Sequence, residues 1–241
     1  MCDTCVILAA GKGKRLKKEY PDTPKPLVNI SGKPMIYYPV KNFYTKGIRN
    51  FIIVVNKETK RAAEELYGYF KDVEIKTALQ NKAKGTALAL KCAQNKIKKE
   101  SFYLAYCDNI GKYDCTRLDS LIDCDRYIGG VFITKNADNP STALAGVKNN
   151  EITGIIEKPN SKRKEFILYP IFIFKKEIIK YIAMIKKPAD KEIYLADAVN
   201  KAIQNGRKLG YKIENSPRLN VNTPLDVKKA SKLVSFLNLQ G

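Results

Sequence analysis

Thr4-Cys5-Val6-Ile7-Leu8-Ala9-Ala10-Gly11-Lys12-Gly13-Lys14-Arg15-Leu16 opens the chain with an apolar run that breaks into a glycine-rich, cationic turn. Residues 4–10 read as a strand that is apolar on both faces, the pattern of a strand buried inside a sheet. Glycines directly after such a strand let the backbone approach a ligand, and successive amide N–H groups there can cradle phosphate oxygens. The spacing excludes two familiar loops. Three positions beyond Gly13 stands Leu16, where a dinucleotide fingerprint needs glycine, and the Gly-Lys-Ser/Thr ending of a P-loop is missing.

Working outward, the apolar runs at 51–56, 74–79, 102–107 and 128–134 read as further strands. The stretches between them, at 34–46, 59–70 and 86–98, have helical spacing with lysines outward. This alternation predicts an α/β fold of βαβ units around a buried, mainly parallel sheet, with ligand sites beyond the carboxyl ends of its strands. From residue 143 the rhythm changes. Segments 143–148 and 152–157 flank Asn149-Asn150 as a hairpin, 166–174 and 208–213 read as strands, and 176–185 and 194–205 as helices. A last helix follows Pro224. No tandem repeat or low-complexity linker interrupts the 241 residues.

Composition narrows the chemistry. With 44% hydrophobic and 28% charged residues the chain can build a core and does not read as disordered. No apolar run is long enough to span a bilayer, and Met1-Cys2-Asp3-Thr4 lacks the basic and apolar regions of a secretory leader. The six cysteines are accordingly expected as reduced thiols in a cytoplasmic protein. Cys2 and Cys5 form a lone CxxC without a second pair, and the absence of histidine leaves no mixed site for zinc. The same absence excludes a Ser-His-Asp triad, a Cys-His pair and any histidine-bound metal. The net charge of +20 comes mostly from lysines spread between Lys12 and Lys232, with no aromatic-interleaved basic block. It reads as a lysine-rich surface whose field attracts anionic substrates. Neither nucleic acid nor membrane is an expected partner, and oligomeric state is left open.

Several later segments carry the phosphate reading further. Thr23-Pro24-Lys25-Pro26-Leu27 stiffens the backbone around a cation, and Gly32-Lys33-Pro34-Met35-Ile36 follows. Gln80 precedes Gly85-Thr86-Ala87, and Tyr106-Cys107-Asp108 ends a strand. Gly146, Glu157-Lys158-Pro159, Glu192-Ile193-Tyr194-Leu195-Ala196-Asp197 and Val221-Asn222-Thr223-Pro224 come after them in order. Taken together, these segments resemble the sugar-1-phosphate nucleotidyltransferases over nearly the whole chain. That family includes glucose-1-phosphate thymidylyltransferase and the uridylyltransferase domain of the bifunctional N-acetylglucosamine-1-phosphate enzyme. The resemblance implies a Rossmann-like mixed, mainly parallel sheet flanked by helices, of the nucleotide-diphospho-sugar transferase type. It also implies one domain over 1–241, with a nucleotide-binding part of about 1–135 and an acceptor-facing part of about 136–241.

The resemblance further implies that Leu8, Ala9, Ala10, Gly11 and Gly13 lie against the nucleotide, together with Gln80, Gly85, Thr86 and Tyr106. Arg15 and Lys25 become the catalytic cations, and Gly146, Glu157 and Lys158 the acceptor contacts. Asp108 and Asn222 become ligands of a magnesium ion, Mg2+, a role that suits a carboxylate at a strand end and an amide oxygen. A turn aspartate is the plainer reading of Asp108. Gln80 can donate and accept at once, matching the imide edge of uracil or thymine, although a surface-loop glutamine would look alike. Lys12 and Lys14 read as solvated. Asp226 is left to the helix start formed by Thr223, Pro224 and Asp226.

Two departures bear on the acceptor and the site. Leu168-Tyr169-Pro170 stands where the family has Asn-x-Gly, so a sugar-contacting amide is missing. Cys107 replaces the glycine beside Asp108 and reads as a small buried residue. The expected reaction is an in-line attack by an already ionised phosphate oxygen on the α-phosphorus of UTP or dTTP, which needs no general base. Its expected acceptor is a sugar 1-phosphate other than plain glucose 1-phosphate. Alternatives are a cytidylyltransferase acting on phosphocholine, a phosphonate or inositol phosphate, and a non-catalytic nucleotide-binding regulator. Nucleic-acid binding is motivated by charge alone.

Overall fold

All five residues of the first strand, β1 (Thr4–Leu8), are buried, which requires strands on both sides and cover on both faces. A computed structural model describes residues 2–123, 125–135, 143–157, 166–186, 188 and 191–239. After β1, a small ribbon of β2 (Asn29–Ile30) and β3 (Lys33–Pro34) leads into α1 (Tyr37–Tyr44), β4 (Asn50–Val55), α2 (Arg61–Glu65) and β5 (Glu74–Leu79). Next come α3 (Thr86–Ala93), β6 (Ser101–Tyr106), the short β7 (Asn109–Gly111) and β8 (Tyr127–Thr134). The later part holds β9 (Leu144–Lys148), β10 (Glu151–Ile156), β11 (Phe166–Lys175), α4 (Ile178–Ala183) and α5 (Leu195–Gln204). It closes with β12 (Lys208–Ile213), β13 (Arg218–Asn220) and α6 (Pro224–Phe236).

Nine strands form one sheet in the order β5-β4-β1-β6-β11-β8-β12-β10-β9. Its character changes beyond β6. The pairs β5–β4, β4–β1 and β1–β6 are parallel, as βαβ units demand, whereas β11 enters antiparallel to both β6 and β8. The expected mixed sheet is therefore parallel around β1 and reverses direction at β11. Farther out, β12 runs parallel to β8, and β9 and β10 form the hairpin read from the sequence. Asn149 and Asn150 both take positive φ, at 50° and 61°, the conformation that a tight hairpin turn needs and asparagine tolerates.

Side-chain alternation divides the core between the two faces. Cys5, Ile7, Phe51, Ile53, Tyr103 and Ala105 point into one cluster, covered by α1 and α6. Val6, Leu8, Ile52, Val54, Phe102 and Leu104 point into the other, covered by α3, α4 and α5. Each fully buried Ile, Leu or Phe here contributes about 1.5–3 kcal/mol relative to an exposed one. The helices are shorter than their apolar periodicity suggests. Where 59–70 reads as one helix, Arg61–Glu65 is α-helical and Leu66–Gly68 tightens into a 3-10 turn. Among the described residues no helix is long and apolar enough to cross a membrane.

Candidate active site

The carboxyl ends of β1, β5 and β6 open onto a pocket of about 580 Å³, and the glycine-rich turn forms its rim. That turn is clamped at both ends. Ala9 donates its N–H to Val54 O at 2.8 Å, and Asn56 Nδ2 donates to Ala10 O at 2.9 Å. On the far side Gly13 O accepts from the N–H groups of Leu16 and Lys17, and the Leu16 side chain is buried. Gly11, Lys12, Lys14 and Arg15 stand exposed between the clamps and line the pocket. Lys12 and Lys14 thus belong to the pocket rim, not merely to the solvated surface expected of them.

Lys25 lies in the 3-10 turn Lys25–Leu27, which Pro24 and Pro26 pre-set. Its ammonium donates to Asp108 Oδ2 at 2.5 Å and to Asn222 Oδ1 at 3.0 Å. The Lys25 side chain is only 9% exposed and that of Asp108 20%, so this ion pair is screened far less than a surface one. Asp108 follows β6, anchored by Cys107 N–H to Leu8 O at 3.1 Å. Asn222 reaches it because β13 pairs with β7, Asn220 opposite Asn109, and Val221 N–H bonds Asp108 O at 2.9 Å. The helix start read from the sequence is present, with Thr223 as N-cap, Pro224 in the first turn and Asp226 completing a capping box. Asp226 does more than cap. Its carboxylate also accepts the N–H of Asn222 at 3.0 Å, fixing the backbone from which the Asn222 amide projects.

Opposite the rim, Gln80 is buried at the end of β5 and donates from Nε2 to Gly85 O at 3.1 Å. Gly85 has φ of 99°, and a Cβ there would stand 2.2 Å from Ile193 O. The neighbouring bonds Ala87 N–H to Ile193 O and Ile193 N–H to Lys84 O zip this turn to the segment before α5. The Thr86 hydroxyl accepts from Leu195 N–H at 2.9 Å and also bonds Tyr106. Burial, reinforced by the charges of Glu157 and Asp108, holds the Tyr106 phenol well above its usual range. The Tyr106 phenol is therefore held in its neutral form.

Twelve residues expected in the site do line this one pocket: Leu8, Ala10, Gly11, Gly13, Arg15 and Lys25 from the amino-terminal segments, and Gln80, Gly85, Thr86, Tyr106, Asp108 and Asn222 from the later ones. Ala9 does not. Strand alternation turns its methyl into the core, where it is fully buried. Gly146 sits on β9 opposite Gly154, away from the pocket wall, and a Cβ on it would meet Thr153 Oγ1 at 2.7 Å. Glu157 follows β10 and is near enough to Tyr106 to raise its phenol, but it is not on the wall. Lys158 and Pro159 lie outside the described residues. Leu168 is 5% exposed and packs in the α3–α5 core cluster, so its side chain does not open onto the pocket. Unassigned from sequence were Ala83, Ala89, Cys107, Glu192 and Tyr194, all of which line it. Glu192 and Tyr194, joined by a short hydrogen bond, lie in a segment whose motif was legible without revealing that it lines the pocket beside the Gly85 turn.

The donor set suits a hard divalent cation. Asp108 and Asn222 present two oxygens that already converge on one positive charge, the Lys25 ammonium. Among the described residues no group of three or more His, Cys, Asp or Glu is arranged to hold a metal ion, so an ion here would take its remaining ligands from water and substrate phosphates. Magnesium characteristically binds in that way.

Comparison with known proteins identifies the family. The chain is 26% identical to the UTP–glucose-1-phosphate uridylyltransferase AglF of Haloferax volcanii, over 94% of each protein. It is 29% identical to the bifunctional protein GlmU of Methanococcus maripaludis over 97% of this chain, but it spans only 54% of that relative's length. The inositol-1-phosphate CTP transferase from T. maritima has a similar fold, with a TM-score of 0.86 over 99% of this chain and 97% of that one at 20% identity. The sequence pattern of the family described as nucleotidyl transferase matches residues 4–217, and the chain belongs to that family.

Proposed function

We propose that the protein transfers the nucleotidyl group of UTP or dTTP to a sugar 1-phosphate, giving a nucleotide sugar and pyrophosphate. The observation that carries this reading is the meeting, in one pocket, of the Gly11–Arg15 rim, the Gln80–Gly85 turn and the Asp108–Asn222 oxygens. Backbone N–H groups and the cations Lys12, Lys14 and Arg15 receive the phosphates at the rim. Gln80, held by Gly85 O, presents the rest of its amide to the edge of a pyrimidine. Lys25 lies within reach of both phosphate and carboxylate and neutralises charge as it shifts in the transition state. The attacking phosphate oxygen is already ionised, so no residue has to act as base, consistent with a neutral Tyr106. Asp108 and Asn222 would hold magnesium, which when bound would supply charge neutralisation and alignment of the phosphates. Glu157, Lys158 and Gly146 are proposed on the acceptor side, the part of the chain from about residue 136 onward, with the nucleotide held by the part before it. The five described cysteines are free thiols, which suits the proposed cytoplasmic setting.

A second reading keeps the chemistry and changes both substrates: a cytidylyltransferase acting on a non-sugar phosphate such as inositol phosphate. It is favoured by the fold shared with an inositol-1-phosphate CTP transferase. Pyrophosphate release measured over UTP, dTTP, CTP, ATP and GTP against a panel of phosphorylated acceptors tests both. Turnover of UTP or dTTP with a sugar 1-phosphate is the expected result. Preference for CTP with a non-sugar phosphate selects the second reading, and nucleotide binding without pyrophosphate release rejects both.

A further inference from the structure

The Asp108 and Asn222 oxygens are already engaged by a cation that the chain itself supplies. Lys25 Nζ stands 2.5 Å from Asp108 Oδ2 and 3.0 Å from Asn222 Oδ1, on a side chain that is 9% exposed. A divalent ion bound by the same two oxygens would sit where this ammonium sits, and two positive charges at contact distance repel strongly in a partly desolvated pocket. The lysine must therefore leave before the ion can enter. Its destination lies close by. The Lys25 stem passes directly beneath the phosphate rim, with its Cβ 2.7 Å from where a Cβ on Gly13 would be. An ammonium on four rotatable carbons can swing from a carboxylate to phosphate oxygens placed against that rim.

We propose that Lys25 is a built-in counter-ion: it closes the Asp108–Asn222 oxygens to a divalent cation until a triphosphate draws the ammonium away, so that the cation enters with the nucleotide and not before it. This rests on the reading of Asp108 and Asn222 as cation ligands. It differs from a purely catalytic role for Lys25 in what it says about the free protein. Removing the lysine should improve cation binding there, even though it damages turnover.

Manganese(II) is a suitable probe, because its free aqueous ion is counted by electron paramagnetic resonance without any turnover. The parent protein without nucleotide is expected to bind Mn2+ weakly. Lys25→Met should bind it at least about tenfold more tightly, since one carboxylate loses its competing charge. Lys25→Gln should follow the same direction, and melting curves of both variants check that the fold persists. Adding Asp108→Asn to Lys25→Met should abolish the gain, which locates the ion at this carboxylate. Equal or weaker Mn2+ binding by both folded lysine variants overturns the counter-ion proposal while leaving the site reading intact. If the parent with UTP retains no Mn2+ beyond that held by UTP alone, and the lysine variants retain none either, the cation reading of Asp108 and Asn222 falls and the proposal falls with it.

Discussion

Gly13 and Lys25 approach so closely that only one of them can carry a Cβ: the methyl of an alanine at 13 would stand 2.7 Å from Lys25 Cβ. The rim glycine is thus a packing requirement of the lysine beneath it, and its φ of 59° adds a backbone one. Gly11, two residues earlier, has no atom within 4 Å of the place a methyl would take, and its φ is not positive. Gly13→Ala is expected to lower stability by about 1–3 kcal/mol and turnover by about tenfold or more, because Lys25 is displaced. Gly11→Ala should stay within about 0.5 kcal/mol of the parent in urea unfolding. Equal effects of the two substitutions would show that the Gly13–Lys25 contact does not shape the site.

Asp108→Ala removes the charged one of the two acceptors of the Lys25 ammonium as well as a proposed cation ligand. Turnover should fall by about a hundredfold or more while the fold persists, with pyrophosphate release as the measure. Activity near that of the parent at saturating magnesium would reject both roles.

Gly85 and Gln80 separate backbone from recognition. Gly85→Ala places a methyl 2.2 Å from Ile193 O at a positive φ, so the turn must open and the zipper to Ile193 must break. Nucleotide affinity should drop for every base alike. Gln80→Ala leaves that backbone in place and should instead narrow the difference between pyrimidine and purine triphosphates, read as ratios of kcat/KM. A uniform loss in Gln80→Ala would remove it from base reading.

Judged by sequence alone, Leu168→Asn restores a sugar contact. In the fold Leu168 is buried among apolar neighbours, and only its backbone is engaged, its N–H by Ala143 O and its carbonyl by Arg218 Nη2. The expected effect is a loss of about 1–3 kcal/mol of stability from a buried amide without partners, with the acceptor ranking unchanged. A changed ranking in a fully stable variant would place the side chain on the pocket after all.

Burial pushes the Cys2 thiol up to about 11 and the Cys115 thiol up to about 12, from an ordinary value of 9.0. A folded-state value above the unfolded one means that the unfolded chain loses these protons first. Stability from this source is complete below about pH 9 and is lost as pH rises toward 11–12. Melting temperature should therefore fall over that interval, less steeply in Cys115→Ala. At neutral pH an alkylating reagent should modify the exposed Cys92 well before Cys2, Cys5 or Cys115, as peptide mapping can show.

What the sequence determined by itself is local. The period of the apolar runs made β1, β4, β5, β6 and β8 legible, and the glycines after β1 announced the turn that rims the pocket. Asn149-Asn150 announced a hairpin turn, and Thr223-Pro224 with Asp226 a helix start. Each of these depends on residues a few positions apart, whose conformational preferences act within the segment. Which residues share a site depends on register between distant strands. Tertiary structure alone brought Lys25 onto Asp108 and Asn222, turned Ala9 into the core, buried Leu168, and carried Glu192 and Tyr194 to the pocket wall. Asp226 shows both levels in one residue. Its capping role follows from three-residue spacing, while its grip on Asn222 acquires meaning only because β13 pairs with β7 beside the end of β6.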